Sequence, residues 1–321
     1  MKRALLRGAA LVISLAFLVW VVADARWRGV VDSLARLDVK SLAAIALMFA
    51  VSYALRAARV HGEFRDELQA RDTRLAGRSG YLRILRLTLI HNALVNVVPL
   101  RAGEVAFPVL LARWFGVATE RAVVSLLWLR TQDACVVLAL AACVWPNLPL
   151  ALRVAAIAAI AIGAWAIPAW AQRHPALTEG VGRVGRVGPL ARMRAMLARS
   201  TRSNLRGWFW TVSNWSVKLA AEAWLLCLLL GLSLNVFNDL ASGALGAIGA
   251  ELVAILPVQG VAGFGTFEAG AAALLRTQDI AIASGVEAAL ALHAVVLALA
   301  LIAGAIAAAL LPGADSAIVK A

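Results

Sequence analysis

The sequence predicts an all-α, polytopic integral membrane protein with about six full spans and two oppositely oriented re-entrant helical hairpins. Three observations predict it. Hydrophobic residues fill 62% of the 321 positions and charged residues only 15%, where an ordinary soluble domain is about 25% charged. Most apolar residues gather in runs of roughly 20, the length a helix needs to cross hydrocarbon. Two further runs, NALVNVVPLRAGE at 92–104 and ELVAILPVQGVAGFGTFE at 251–268, are interrupted by proline, glycine and glutamate. The bilayer interior has no water to satisfy a freed backbone group or a carboxylate, so such breaks survive only where protein or a polar cavity lines them.

The chain opens with MKRALLR before LVISLAFLVWVVA, and Ala23-Asp24-Ala25 has the form of a signal cleavage site. Because the apolar run is long and further spans follow, it is expected to stay as an uncleaved first helix over 7–23. The other full spans fall at 41–58, 119–144, 150–171, 208–231 and 285–311, with the broken pairs 81–98/104–115 and 239–257/266–276 between them. The return arms 104–115 and 266–276 would reach only about 18 Å and about 16 Å at ~1.5 Å per residue, short of a core of ~30 Å. Each is therefore expected to re-enter rather than cross. The sequences LVNVVP at 94–99 and LVAILP at 252–257 are the main internal similarity. They suit an inverted repeat of discontinuous helices, whose N-terminal ends point partial positive charge at an anionic group, and they also suit chance in a chain rich in alanine and valine.

The net charge of +13 follows the loops. Segment 56–86 has eight arginines against four acids and 172–206 has eight against one, whereas 144–150 has none and 231–239 only Asp239. The positive-inside rule puts the basic loops and the N-terminus, with Lys2, Arg3 and Arg7, in the cytoplasm, and the count of crossings returns the C-terminus there. The first hairpin then enters from the cytoplasmic side and the second from outside, with tips converging near the midplane. Residues 1–321 are expected to form a single transmembrane domain with 172–206 as its basic cytoplasmic loop. Within that loop GVGRVGRVG lacks the preceding strand and following acid of a dinucleotide site. PLARMRAMLARSTR after it can form a short basic helix on anionic lipid.

Basic residues without interleaved aromatic stacking platforms exclude nucleic acid as a partner. Cys135, Cys143 and Cys227 lie in apolar runs at no metal-ligand spacing, so no metal and no cofactor is expected. Trp20, Trp27, Trp145, Trp170, Trp208 and Trp210 sit near span ends, where indole favours the headgroup boundary.

Charges at bilayer depth cost at least ~2.5 kcal/mol each and so pair or face a cavity. The candidates are Arg101, Glu104, Arg130, Asp133, Lys218, Glu222, Glu251 and Glu268. Arg130 with Asp133, and Lys218 with Glu222, share helix faces and can act as structural ion pairs or as part of a transport site. His91, Asn92 and Asn96 precede the first break on adjoining faces, where amides can bond carbonyls freed by Pro99, glue helices or contact a headgroup. His293 reads as a hydrogen-bonded residue between helices. Tyr53 and Arg56 read as snorkelling to the interface.

At these positions the chain resembles a known family. NVVPLRAGE at 96–104 with Asn96, Pro99, Arg101, Gly103 and Glu104, then ARWFGV at 112–117, then Arg130 with Asp133, resemble the flippase-like transmembrane domain of lysylphosphatidylglycerol synthases. PVQGVAGFGTFEA, with Pro257, Gly263, Gly265 and Glu268, is similar to that family's second glycine-rich motif, which also ends in glutamate, and Gly260 is a further break within it. The resemblance runs in order over roughly residues 10–310. It implies an all-helical domain in the bacterial cytoplasmic (inner) membrane that moves lipid between leaflets, with aminoacylated phosphatidylglycerol the best-known cargo. The sequence departs from the pattern where Phe107 and Phe267 replace frequent arginines, and where Leu129 replaces a frequent glutamate. The two phenylalanines are expected to make the cavity more apolar. An aminoacyl-transferase domain is not expected beyond residue 312, so a lysyl lipid is expected to come from a partner lipid-modifying enzyme.

The expected partners are membrane lipids: an anionic or aminoacylated phospholipid, or another lipid-linked substrate. Asn92, Asn96, Arg101, Glu104, Arg130, Asp133 and Glu268 are the expected substrate-binding residues, with Arg101 and the N-terminal ends of 104–115 and 266–276 on a phosphate. A lipid-modifying enzyme using paired carboxylates, or a noncatalytic scaffold of envelope lipid metabolism, are the alternatives.

Overall fold

The structure, a computed structural model, describes residues 27–145, 147–173, 189–201, 204–234, 236–255 and 261–311. The first span expected at 7–23, Pro257, Gly260 and the glycine run at 180–188 lie outside these residues. Among the described residues every regular element is helical. In chain order they are α1 (Trp27–Ala35), α2 (Val39–Glu63), α3 (Arg65–Arg71), α4 (Arg78–Val97), α5 (Ala106–Phe115), α6 (Thr119–Val144), α7 (Leu150–Gln172), α8 (Pro189–Ser200), α9 (Asn204–Leu230), α10 (Phe237–Ile255), α11 (Thr266–Arg276) and α12 (Ile282–Leu310). Short 3₁₀ turns occupy Thr73–Ala76, Pro99–Val105 and Val261–Gly263.

By length and composition α2, α6, α7 and α12 can each cross a membrane. Helix α9 is as long but carries Arg206, Lys218 and Glu222, the last fully buried. Lys218 and Glu222 turn inward and Arg206 lies exposed in the first turn, so the charges do not interrupt it. The same reason carries α2 past the expected end at residue 58 to Glu63: Arg59 is 4% exposed and paired inside the protein. Asp38 starts α2, accepting from the Ser41 amide at 2.9 Å and hydroxyl at 2.6 Å. Those bonds hold its exposed carboxyl below the usual range.

Both interruptions fall where expected. Helix α4 ends at Val97 because Val98, before Pro99, is held extended, and Pro99–Val105 turns as 3₁₀ into α5. The turn lies so close on α4 that a Cβ at Gly103 would stand 2.4 Å from the Leu94 carbonyl. Helix α11 starts at Thr266, after Gly263 (φ +83°) and Gly265 (φ +85°), a conformation glycine adopts without strain. Helices α10 and α11 lie backbone to backbone, since a Cβ at either Gly249 or Gly270 would stand 2.3 Å from the other's carbonyl. The turn Pro99–Val105 and helix α4 both touch the turn Val261–Gly263. The two breaks therefore meet inside the protein.

Two apolar cores flank this meeting point. The larger joins α2, α6, α9, α10, α11 and α12 around Phe49, Leu225, Leu226, Ile248 and Leu292. The smaller joins the end of α2 to α3, α4, α5 and α6 around Phe64, Leu68, Leu87, Phe107 and Leu111. Arg121 seals the smaller core, 2.8 Å from both Glu63 and Glu67 and 2.6 Å from Ser200. Through Ser200, the basic helix expected after residue 189 forms as α8 and docks on α6.

Candidate functional site at the meeting of the broken helices

A cavity of about 160 Å³ lies between α2, α4, α6, α9, α10, α12 and the second break. Tyr53, Arg56, Asn92, Asn96, Arg130, Asp133, Trp215, Lys218, Glu251, Phe267 and His293 are among its walls. Charge in such a place survives by pairing. Helix periodicity delivers the partners: Arg56 and Arg59 occupy neighbouring turns of α2, and Arg130 and Asp133 one turn of α6.

Asp133 is the centre of one network. Its Oδ1 accepts from Arg59 Nη1 at 2.6 Å and Trp215 Nε1 at 2.9 Å, and its Oδ2 from Arg130 Nη1 at 3.3 Å. Arg59 also donates to the Leu129 carbonyl at 2.5 Å and Gln132 Oε1 at 3.0 Å. Arg130 reaches on to Glu104 Oε1 at 2.5 Å, and Glu104 Oε2 lies 3.3 Å from His91 Nε2. The first break is thus fastened to α6 and α4 through its own glutamate.

A second network forms on α9 and α10. Lys218 Nζ is 2.7 Å from Glu251 Oε1, 3.5 Å from Glu222 Oε1 and 4.8 Å over the Trp215 ring. The third holds the second break. Glu268 Oε2 accepts the Gly265 amide at 2.5 Å, capping α11, while Oε1 is 2.6 Å from His293 Nδ1 on α12. Phe264 and Phe267 lie on His293, each with its ring centre 4.5 Å away.

The expected site residues divide accordingly. Asn92, Asn96, Arg130 and Asp133 line the cavity. Asn96 Nδ2 donates back to the Asn92 carbonyl at 2.7 Å, and Asn92 Oδ1 accepts from Arg56 Nη1 at 3.1 Å. Glu104 and Glu268 stand one layer behind, acting through Arg130 and His293. Gly263 borders the cavity, Gly265 precedes α11 and Gly103 lies in the first turn. Pro99 and Arg101 belong to that turn, and their side chains lie outside the described part.

Some expectations are corrected. Tyr53 and Arg56 do not run to the interface: Tyr53 is buried and both border the cavity. Arg56 looked terminal only because α2 was expected to stop at 58. Phe107 lies in the smaller core, 5.3 Å from the His91 ring and 6.3 Å from Phe64. Only Phe267 makes the main cavity more apolar. Lys218 pairs more closely with Glu251 than with its helix neighbour Glu222. Only the fold reveals that contact, because α10 brings Glu251 from elsewhere in the sequence. Among the described residues no group of three His, Cys, Asp or Glu could hold a metal ion.

The fold and site define an all-helical, multi-pass membrane protein with a charged cavity enclosed where two interrupted helices meet. The chain belongs to the family of the lysylphosphatidylglycerol synthase TM region, which matches residues 8–304, and its function is related to membrane lipid. Comparison with curated proteins and with solved structures returns no match.

Proposed function

We propose that the protein moves a phospholipid headgroup between leaflets through the cavity at the two breaks, without altering it chemically. The observation that carries this reading is the placement of Arg56, Arg130, Asp133, Lys218 and Glu251 around one space amid apolar helices. A headgroup crossing ~30 Å of hydrocarbon needs its water replaced by fixed polar groups, while its acyl chains can stay in lipid. Among the described residues Arg56 faces the cavity with a neutral amide, not a carboxylate, as its partner, which suits it to a headgroup phosphate. Glu251 and Asp133 suit a cationic substituent, as on an aminoacylated lipid.

At about 160 Å³ the cavity is smaller than the ~300 Å³ at which ligand pockets begin. Admission of a headgroup therefore requires the hairpins α4–α5 and α10–α11 to part in turn, each entering from its own side. The proposal includes a bacterial cytoplasmic membrane, both termini in the cytoplasm, a single domain over 1–321 and a partner enzyme that modifies the lipid.

The test is purified protein in vesicles with labelled phosphatidylglycerol or its lysyl ester, and headgroup exposure read by a membrane-impermeant reagent. Wild type should raise exposure on the far side, and Glu104→Gln should abolish the rise at unchanged expression. Exposure no higher than in empty vesicles would sink the proposal. Chemically altered lipid would mark an enzyme, and neither change a scaffold.

A further inference from the structure

Glu222 has no place in the headgroup path, yet among the described residues it is the most deeply buried charged one, at 0% exposure. Neither of its carboxyl oxygens accepts a hydrogen bond from a described donor. Its cation, Lys218, lies 3.5 Å away and is held closer, at 2.7 Å, by Glu251.

The elements packed on α9 offer nothing better. Helix α2 brings Tyr53 and Arg56, the arginine bonded to Asn92; α6 brings Arg130 and Asp133, already joined to Glu104 and Arg59. Helix α12 brings His293, held by Glu268 of α11, while α10 brings Glu251 itself. The buried side chains of α1, Val30 and Ser33, do not titrate. Two carboxylates thus share one ammonium, and an uncompensated second negative charge on a fully buried side chain is heavily disfavoured. Both carboxyls face the same Lys218 ammonium, and with both ionised each can only accept. A proton is the missing piece.

We propose that the Glu222–Glu251 pair is a proton-binding site that couples proton movement to headgroup movement. With the cavity empty the pair holds one proton, as an O–H of Glu222 donating to the Glu251 carboxylate, beside Lys218. When a headgroup phosphate enters and draws the Lys218 ammonium off Glu251, the pair takes a second proton from the water on the open side. The anion and its proton then cross together and leave together, and Lys218 returns to Glu251. The cargo in this scheme rests on the transport reading above, while the proton on Glu222 does not.

Infrared spectra of the full chain in lipid nanodiscs test the proton by itself. The wild type should show a protonated carboxylic acid band at neutral pH that shifts in heavy water, and Glu222→Gln, an isostere of the protonated form, should lose it. A wild type without such a band overturns the proposal whether or not the variant folds, and so does a band that survives in Glu222→Gln. Vesicles with labelled phosphatidylglycerol and an imposed pH gradient test the coupling. With one proton per headgroup, a gradient of about one unit should shift the steady-state headgroup distribution about tenfold in wild type. Glu222→Gln should remove that dependence. Movement indifferent to the gradient overturns the coupling; the acid band with no movement under any gradient overturns the transport reading and leaves the proton site standing.

Discussion

Arg56 and Asp133 border the same cavity but do opposite work. Asp133 accepts from Arg59, Arg130 and Trp215, so Asp133→Asn leaves the buried Arg59 guanidinium without its anion and Arg130 with Glu104 alone. Removing one partner of a buried pair typically costs ~3–5 kcal/mol, and thermal unfolding in detergent should show a loss of that order. Arg56 has an amide as partner, so Arg56→Gln should leave the melting temperature nearly unchanged and cut headgroup exposure by about tenfold or more, the equivalent of ~1.4 kcal/mol in phosphate binding. A large fall in stability with unaltered exposure would reverse these assignments. The sequence displayed Asp133 as a charge inside an apolar run. It concealed Arg56, because a basic residue near the end of such a run looks interfacial until its helix is seen to continue to Glu63.

The two breaks are built differently, although one short motif starts both. The first folds as a turn laid on α4, through Gly103, and the second as two helices in backbone contact through Gly249 and Gly270. Gly270→Leu should therefore separate α10 from α11 at a cost of about 1–3 kcal/mol or more. Gly163→Leu on α7, where a Cβ meets nothing within 4 Å, should cost no stability, and removing a glycine from a helix interior should add up to about 1 kcal/mol. Equal effects in a detergent melting series would contradict the packing. Proline, glycine and span length made both breaks legible, and α11 occupies the expected 266–276. Their fastenings were not legible: His293 and Arg130 reach Glu268 and Glu104 across long stretches of sequence.

Across the whole molecule, loop charge makes an orientation testable. In a cysteine-free background, Arg74→Cys should react with an impermeant maleimide only from the cytoplasmic side and Ser233→Cys only from outside, both being exposed positions. Reaction of both from one side would remove the opposed entry proposed for the two breaks. Composition and run length gave the helical class and the order of elements, whereas the inward turn of charge on α2 and α9 depends on packing and was hidden. One span stands apart from that packing. In the apolar stretch of α7 no residue is buried, and its main contacts are α6 and α8. Among the described residues it is an outrigger, moored at one flank to α6 and α8. Its spelling is free to wander so long as its reach and greasiness persist, and the ionic knot at the centre would not register the change.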